Sequence, residues 1–186
     1  MNNICCKIKS ALAAIVIIFF SQTCLYAQSQ DLDTLFKRLL IVEPAGAPKL
    51  ETKILLEWSK SGSPAMEILL NRGRIALLNE DYDTALKHFN ALTDHAPNFV
   101  EGWSLSAVDL KKMGNTGPAL DGIKRTLAIE PRHFHALSGL AVILEDAGLF
   151  FEAYKVINII EAIHPHFEKL DTIRKRLAVK TQGQAL

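Results

Sequence analysis

Apolar residues recur at helical spacing along most of this chain, in runs of about a dozen residues broken by short polar stretches carrying glycine or proline. The runs come in pairs. Residues 66–99, 100–133 and 134–167 superimpose without a gap as three windows of 34 residues. Each window holds two helical runs, around its positions 1–14 and 18–30, separated by "NED", "GNT" or "GLF". Position 4 reads Leu69, Trp103, Leu137; position 8 reads Gly73, Ala107, Ala141; position 20 is Ala85, Ala119, Ala153; position 24 is Phe89, Ile123, Ile157; and position 32 is Pro97, Pro131, Pro165. Self-similarity at a fixed period predicts a solenoid of stacked helix pairs.

Each column has a physical reading. Small residues at positions 8 and 20 let two helix axes approach closely, and larger apolar residues at 4 and 24 fill the space beside that contact. Gly114 and Gly148 supply the left-handed conformation that ends a first helix. Proline at position 32 cannot continue a helix, so it ends the second one and turns the chain into the next pair. Ser63 reads as an N-cap with Pro64 at the first helical position, and Pro118 falls in a first helical turn, where a missing N–H costs nothing.

The flanks are helical as well. "DLDTLFKRLLIV" (31–42) and "KLETKILLEWSK" (49–60) read as two amphipathic helices joined through "EPAGAP". In this pair Glu51 holds the place of the position-20 alanine, so the pair reads as a degenerate repeat or an N-terminal cap. "EKLDTIRKRLAVK" (168–180) reads as a final helix with Leu170, Ile173 and Leu177 on one face and charge on the other, as a solenoid end requires. "TQGQAL" reads as a loose tail.

The columns at 8, 20 and 32 resemble those of the tetratricopeptide repeat family over residues 66–167. "GSPAMEILLNRG" followed by three repeats is further similar to a group of small exported bacterial repeat proteins. Position 7 (Arg72, Ser106, Leu140), position 11 (Ala76, Leu110, Leu144) and position 27 (Leu92, Thr126, Ile160) depart from the family pattern of Leu, Tyr and Ala, which leaves the helix crossing angles open. The resemblance implies an all-α, right-handed superhelical solenoid of helix-turn-helix repeats with N- and C-terminal capping helices. The implied organisation is an N-terminal helical pair over 28–65, repeats over 66–99, 100–133 and 134–167, and a C-terminal helix and tail over 168–186. It also implies a concave groove, lined by positions 2, 5, 9 and 12 of each first helix, that binds a peptide or protein segment. Those positions are Glu67, Leu70, Arg74 and Leu77; then Glu101, Ser104, Val108 and Lys111; then His135, Ser138, Val142 and Glu145, with Asn71 beside them. A carboxylate clamp of the kind some family members carry needs clustered Lys, Arg and Asn, and Leu70 stands where a clamp lysine belongs. A groove with apolar anchors for a helix or extended segment fits better. The same residues would otherwise be solvated, or covered by the flanking helices.

The first residues change the inventory. "MNNICCKIKS" carries Lys7 and Lys9 and no acid, "ALAAIVIIFF" is wholly apolar, and "SQTCLYA" closes on Ala27. This is the pattern of a secretory signal peptide over 1–27 cleaved after Ala27, with an uncleaved anchor as the rival. Ser21 stands where a lipoprotein signal before Cys24 would want Leu. Cleavage removes both lysines and leaves 19 basic residues against 20 acidic, a balance that makes no electrostatic case for nucleic acid or anionic lipid. Cys5, Cys6 and Cys24 all leave with the signal, so no disulfide, thiol catalysis or cysteine metal site is expected in the remainder. The expected location is the periplasm.

Candidate chemistry is sparse. His95, His133, His135, His164 and His166 lie at or beside the prolines and would line up along one edge of a solenoid. A closed zinc site wants four ligands, and these pairs are split over two junctions, so the expectation is surface histidines beside helix ends. There is no Gly-rich phosphate loop, no G-x-S-x-G and no H-E-x-x-H. No cofactor, no metal and no catalytic residue is assigned. The expected function is a non-enzymatic scaffold of the bacterial cell envelope that binds a protein segment. The alternatives are a self-associating module, or a metal or small-ligand carrier on the histidine edge.

Overall fold

The computed structural model describes residues 32–168 and 170–184. The expected signal peptide lies outside the described residues. Among these residues the chain is all-helical, with nine α-helices and no strand. They are α1 (32–41), α2 (Ala47–Trp58), α3 (Pro64–Leu78), α4 (Tyr82–His95), α5 (Val100–Lys112), α6 (Thr116–Ile129), α7 (Phe134–Asp146), α8 (Phe150–Ile163) and α9 (Leu170–Gln184). A single 3-10 turn, Pro44–Gly46, joins α1 to α2. No helix among the described residues is long and apolar enough to cross a membrane.

Helices α3/α4, α5/α6 and α7/α8 are the three repeats, each an antiparallel pair packed on the next. Ala85, Ala119 and Ala153 are fully buried where the two helices of a pair cross. At position 8 a side chain on Gly73 would overlap the ring of Phe89, which fills that space in the first repeat. Leu92, Thr126 and Ile160, which depart from the family's alanine, are also fully buried, so a larger residue is accommodated at position 27 in every pair. The turn inside each pair needs a left-handed residue. Gly114 (φ 83°) and Gly148 (φ 75°) supply it in two repeats, and Glu80 (φ 60°) takes it in the first. Each second helix stops at a residue outside the helical region, Ala96 (φ −134°), Glu130 (φ −132°) or His164 (φ −141°), because the proline that follows disfavours the helical conformation there.

Two termini differ from the sequence expectation. Ser63 precedes α3 and Pro64 opens it, but the Ser63 side chain makes no capping bond. Glu67 Oε1 instead accepts from Ser61 N at 3.1 Å, closing the linker onto the helix start. At the other end α9 continues to Gln184, so residues 181–184 extend the helix rather than forming a tail. Leu170 and Leu177 are buried, and Arg174 reaches Glu161 at 2.6 Å, which fastens α9 across α8.

The stacking positions of the first repeat are bare. At positions 3 and 10 the second and third repeats bury Gly102, Asp109, Ala136 and Ile143. The equivalent Ile68 and Ile75 on α3 are more than half exposed, and Leu78 on the same helix is 82% exposed. The α1–α2 pair therefore does not cover α3 as a preceding repeat would. It lies across the junctions between repeats, and its Leu35, Phe36, Leu39, Leu50, Ile54 and Trp58 join one core with Phe134, Leu137, Ile157, Leu170 and Leu177.

Candidate functional site

The twelve groove positions separate into a closed part and an open part. The closed part begins at α2. Trp58, its last residue, stacks on His133 with ring centroids 4.1 Å apart and planes within 15°. His133 Nδ1 accepts from Ala136 N at 3.1 Å, capping α7, so its proton sits on Nε2, which faces Glu101 Oε2 at 3.4 Å. The other oxygen of Glu101 accepts from Arg74 at 2.8 Å, and the same Arg74 nitrogen donates to Ser59 Oγ at 2.8 Å. Glu101 is buried, which disfavours its charge; the hydrogen bonds from His133 and Arg74 and the Arg74 charge outweigh that and hold its carboxyl below the ordinary range. One chain of contacts thus ties the end of α2 to α3, α5 and α7.

Two turns earlier on α2, Glu51 accepts from two histidines of different junctions. His135 Nε2 meets one oxygen and His164 Nε2 the other, each at 3.3 Å. Those two hydrogen bonds, working against burial, lower the Glu51 carboxyl to about 2. His166 Nε2 donates to Val42 O at 3.0 Å, and Arg132 reaches Asp33 at 2.6 Å while lying over the Phe36 ring. His133, His135, His164 and His166 meet the α1–α2 pair along one edge; the surface expectation fails for His133 and His164, which are fully buried, while His95 and His135 are exposed. Glu51, where a position-20 alanine was missing, is the acceptor that docks the pair. Among the described residues no three His, Cys, Asp or Glu side chains converge as a metal site.

The open part is a cleft of about 180 Å³ between α5 and α7. Ser104, Val108, Lys111, Ser138 and Val142 line it, with His135 at the end nearest α2. Val108 and Val142 are each more than 40% exposed and face each other across an otherwise apolar floor of Ala107, Ile123 and Ile143. Lys111 bridges to Asp146 on α7 at 2.7 Å. Lys112 and Gly139 also line the cleft and were not singled out by the repeat positions. Gly139 has a legible signal, a residue without a side chain on the cleft face of α7.

The remaining positions lie elsewhere. Leu70 is core, Glu67 closes the linker, and Asn71 is exposed on α3 away from the cleft. Arg74 and Glu101 belong to the network beneath α2. Glu145 turns to α9, where hydrogen bonds from Arg176 and Lys180 hold its carboxyl below the ordinary range.

A scan of protein-family models finds none that matches the chain. A TPR repeat-containing protein of Rhizobium etli is 32% identical over 154 residues, spanning 80% of this chain and 76% of the relative. Among solved structures, the Sgt2 TPR domain from Aspergillus fumigatus superimposes with a TM-score of 0.60 at 15% identity, covering 66% of this chain and 83% of that one. The TPR domain of Arabidopsis OM64 gives 0.58 at 14% identity, over 61% of this chain and 93% of that one. The TPR2B domain of yeast Sti1, solved as a complex with pHsp70, gives 0.57 at 18% identity, over 66% and 99%. These structural likenesses establish the shared helical-repeat fold.

Proposed function

The chain belongs to the tetratricopeptide repeat family, and from that premise we propose that it is a non-enzymatic scaffold of the bacterial cell envelope, exported by residues 1–27, that binds a protein segment in the cleft between α5 and α7. The observation that carries this reading is the division of the groove. The N-terminal pair takes up Arg74 and Glu101, and leaves an apolar cleft in which Val108 and Val142 are exposed. Such a cleft suits an extended segment that inserts a small apolar side chain between Val108 and Val142. The hydroxyls of Ser104 and Ser138 and the ammonium of Lys112 are available to its backbone and polar groups.

The test is crosslinked capture from envelope extract with the wild-type protein and a Val108→Asp variant. Arg74 is unsuited to this test, because changing it would break the internal network. A partner captured by the wild type and lost by the variant supports the reading. A partner held equally by both moves the interface off the cleft and overturns it. Mass spectrometry of the exported protein should find Gln28 first; a membrane-bound chain that retains Met1 would contradict the export step.

A second reading rests on the bare stacking face of α3. A solenoid end normally presents a polar outer surface, whereas Ile68, Ile75 and Leu78 are exposed there. A second copy stacking on that face would bury them. Light scattering across a concentration series decides it: a mass that doubles with concentration, and reverts to monomer in Ile75→Asp, supports self-association.

A further inference from the structure

The near-balance of charge over the whole chain conceals a local imbalance. The outer face of the α1–α2 hairpin carries Arg38 on α1 and Lys49 and Lys53 on α2, gathered around an opening of about 330 Å³ whose lining contains no acid. None of the three enters an ion pair among the described residues, whereas Arg74, Lys111, Arg132, Arg174 and Arg176 all reach carboxylates. Glu43, the carboxylate of the connecting turn, pairs with none of them. Beside the cations stand exposed apolar side chains: Ile41, in the lining of the same opening, is 84% exposed, and Leu56 on α2 is 58% exposed. The face is held rigidly, because the buried side of the same hairpin is fastened through Glu51, Trp58 and the His166–Val42 bond.

We propose that this face docks on an anionic phospholipid surface, with Arg38, Lys49 and Lys53 among the headgroups and Ile41 at the acyl boundary. Unpaired cations beside exposed apolar side chains on a helical element form the arrangement that binds in the plane of a membrane interface. Charge complementarity selects the lipid over a protein partner: a protein groove would offer a few carboxylates at fixed points, whereas three cations on one face meet a continuous anionic surface. The apolar run at residues 11–20 would bring the chain to a bilayer during export or anchoring, and eleven residues, 21–31, separate it from Leu32, the first described residue of α1. The proposal does not depend on the α5–α7 cleft.

The experiment is vesicle flotation of the full chain, synthesised cell-free in the presence of phosphatidylcholine vesicles or of vesicles that also contain phosphatidylglycerol. Residues 11–20 contribute alike to both vesicle types, so the informative quantity is the preference for the anionic ones. Each basic residue at such a surface is worth about fivefold in partitioning, so Arg38→Gln/Lys49→Gln/Lys53→Gln should lose about 100-fold of that preference. Removing the same charge elsewhere, with Lys87→Gln/Arg125→Gln/Lys175→Gln, should leave most of the preference intact. An undiminished preference in the first triple variant, or an equal loss in the second, overturns the proposal. Displacement by inorganic phosphate at matched ionic strength would also overturn it, by reducing the face to a small-anion pocket.

Discussion

Arg74 and Val108 occupy the same position of successive repeats, yet one is locked beneath α2 and the other faces solvent. The difference is not in the repeat. Both residues are presented by equivalent helices, and what separates them is which junctions the N-terminal pair covers. Near α2, position 2 of the second and third repeats (Glu101, His135) and His133 become acceptors and donors for the chain's own helices. One to two turns further along α5 and α7, positions 5 and 9 are out of reach of α2 and form the cleft. Within a solenoid, a repeat position is only an offer of a surface; the flanking helices decide whether that surface is spent on stability or left for a partner.

The contrast can be broken most strongly at Trp58. Trp58→Ala removes the ring that stacks on His133 and packs near Phe36 and Phe134, and should cost about 3–5 kcal/mol in denaturant unfolding. It should also detach the pair and expose Arg74 and Glu101.

Position 10 sharpens the point on the back of α5. It reads Ile75, Asp109, Ile143, and Asp109 is fully buried with both oxygens lacking a hydrogen bond. Burial, with Asp83 and Asp81 nearby, pushes its carboxyl up to about 6. Replacing it with isoleucine, as in the neighbouring repeats, should stabilise the fold by about 1–3 kcal/mol at neutral pH. A raised folded pKa means the ionised group costs stability above pH 6, and that cost fades as pH falls toward 3.8. The advantage of Asp109→Ile should therefore shrink over that interval in unfolding curves.

Glu51→Gln should cost about 1–2 kcal/mol, less than its shift alone suggests because the site is partly open to water. The sign is opposite to that of Asp109. Glu51 is depressed from 4.5 to about 2, so its contribution is complete above pH 4.5 and is lost as pH falls toward 2. Wild type and variant should converge in stability at the acid end. The smallest effect belongs to the open cleft: Val108→Asp should change stability by less than about 0.5 kcal/mol, as for an exposed position, while abolishing partner capture.

Much of the fold was legible because a solenoid is built from near-neighbour contacts that repeat. Ala85, Ala119 and Ala153, the three prolines, Gly114 and Gly148 each announce a local geometry, and each stands in it. Glu80 gave no such signal, since it carries a side chain where its counterparts are glycine. The docking of the N-terminal pair was not legible for a different reason. Glu51 and His164 are 113 residues apart, and neither residue type recurs at the equivalent position of the other helix pairs. Their pairing depends on where α2 lies, which the apolar stripe of α2 leaves undetermined. The clustered histidines at the junctions and the misplaced glutamate were the two visible traces of it. The basic face was hidden as well, because a net charge sums over the chain while a surface gathers Arg38, Lys49 and Lys53 in space.

The central claim is that α1 and α2 are part of the folded body and close one end of the groove. Native-state hydrogen exchange tests it directly. The account predicts that the amides of Leu50–Trp58 exchange with the same opening free energy as those of α7, and that Trp58→Ala uncouples the two. Rapid exchange across Leu50–Trp58 in the wild type, with α7 still protected, would show a free arm over an open groove and contradict the account.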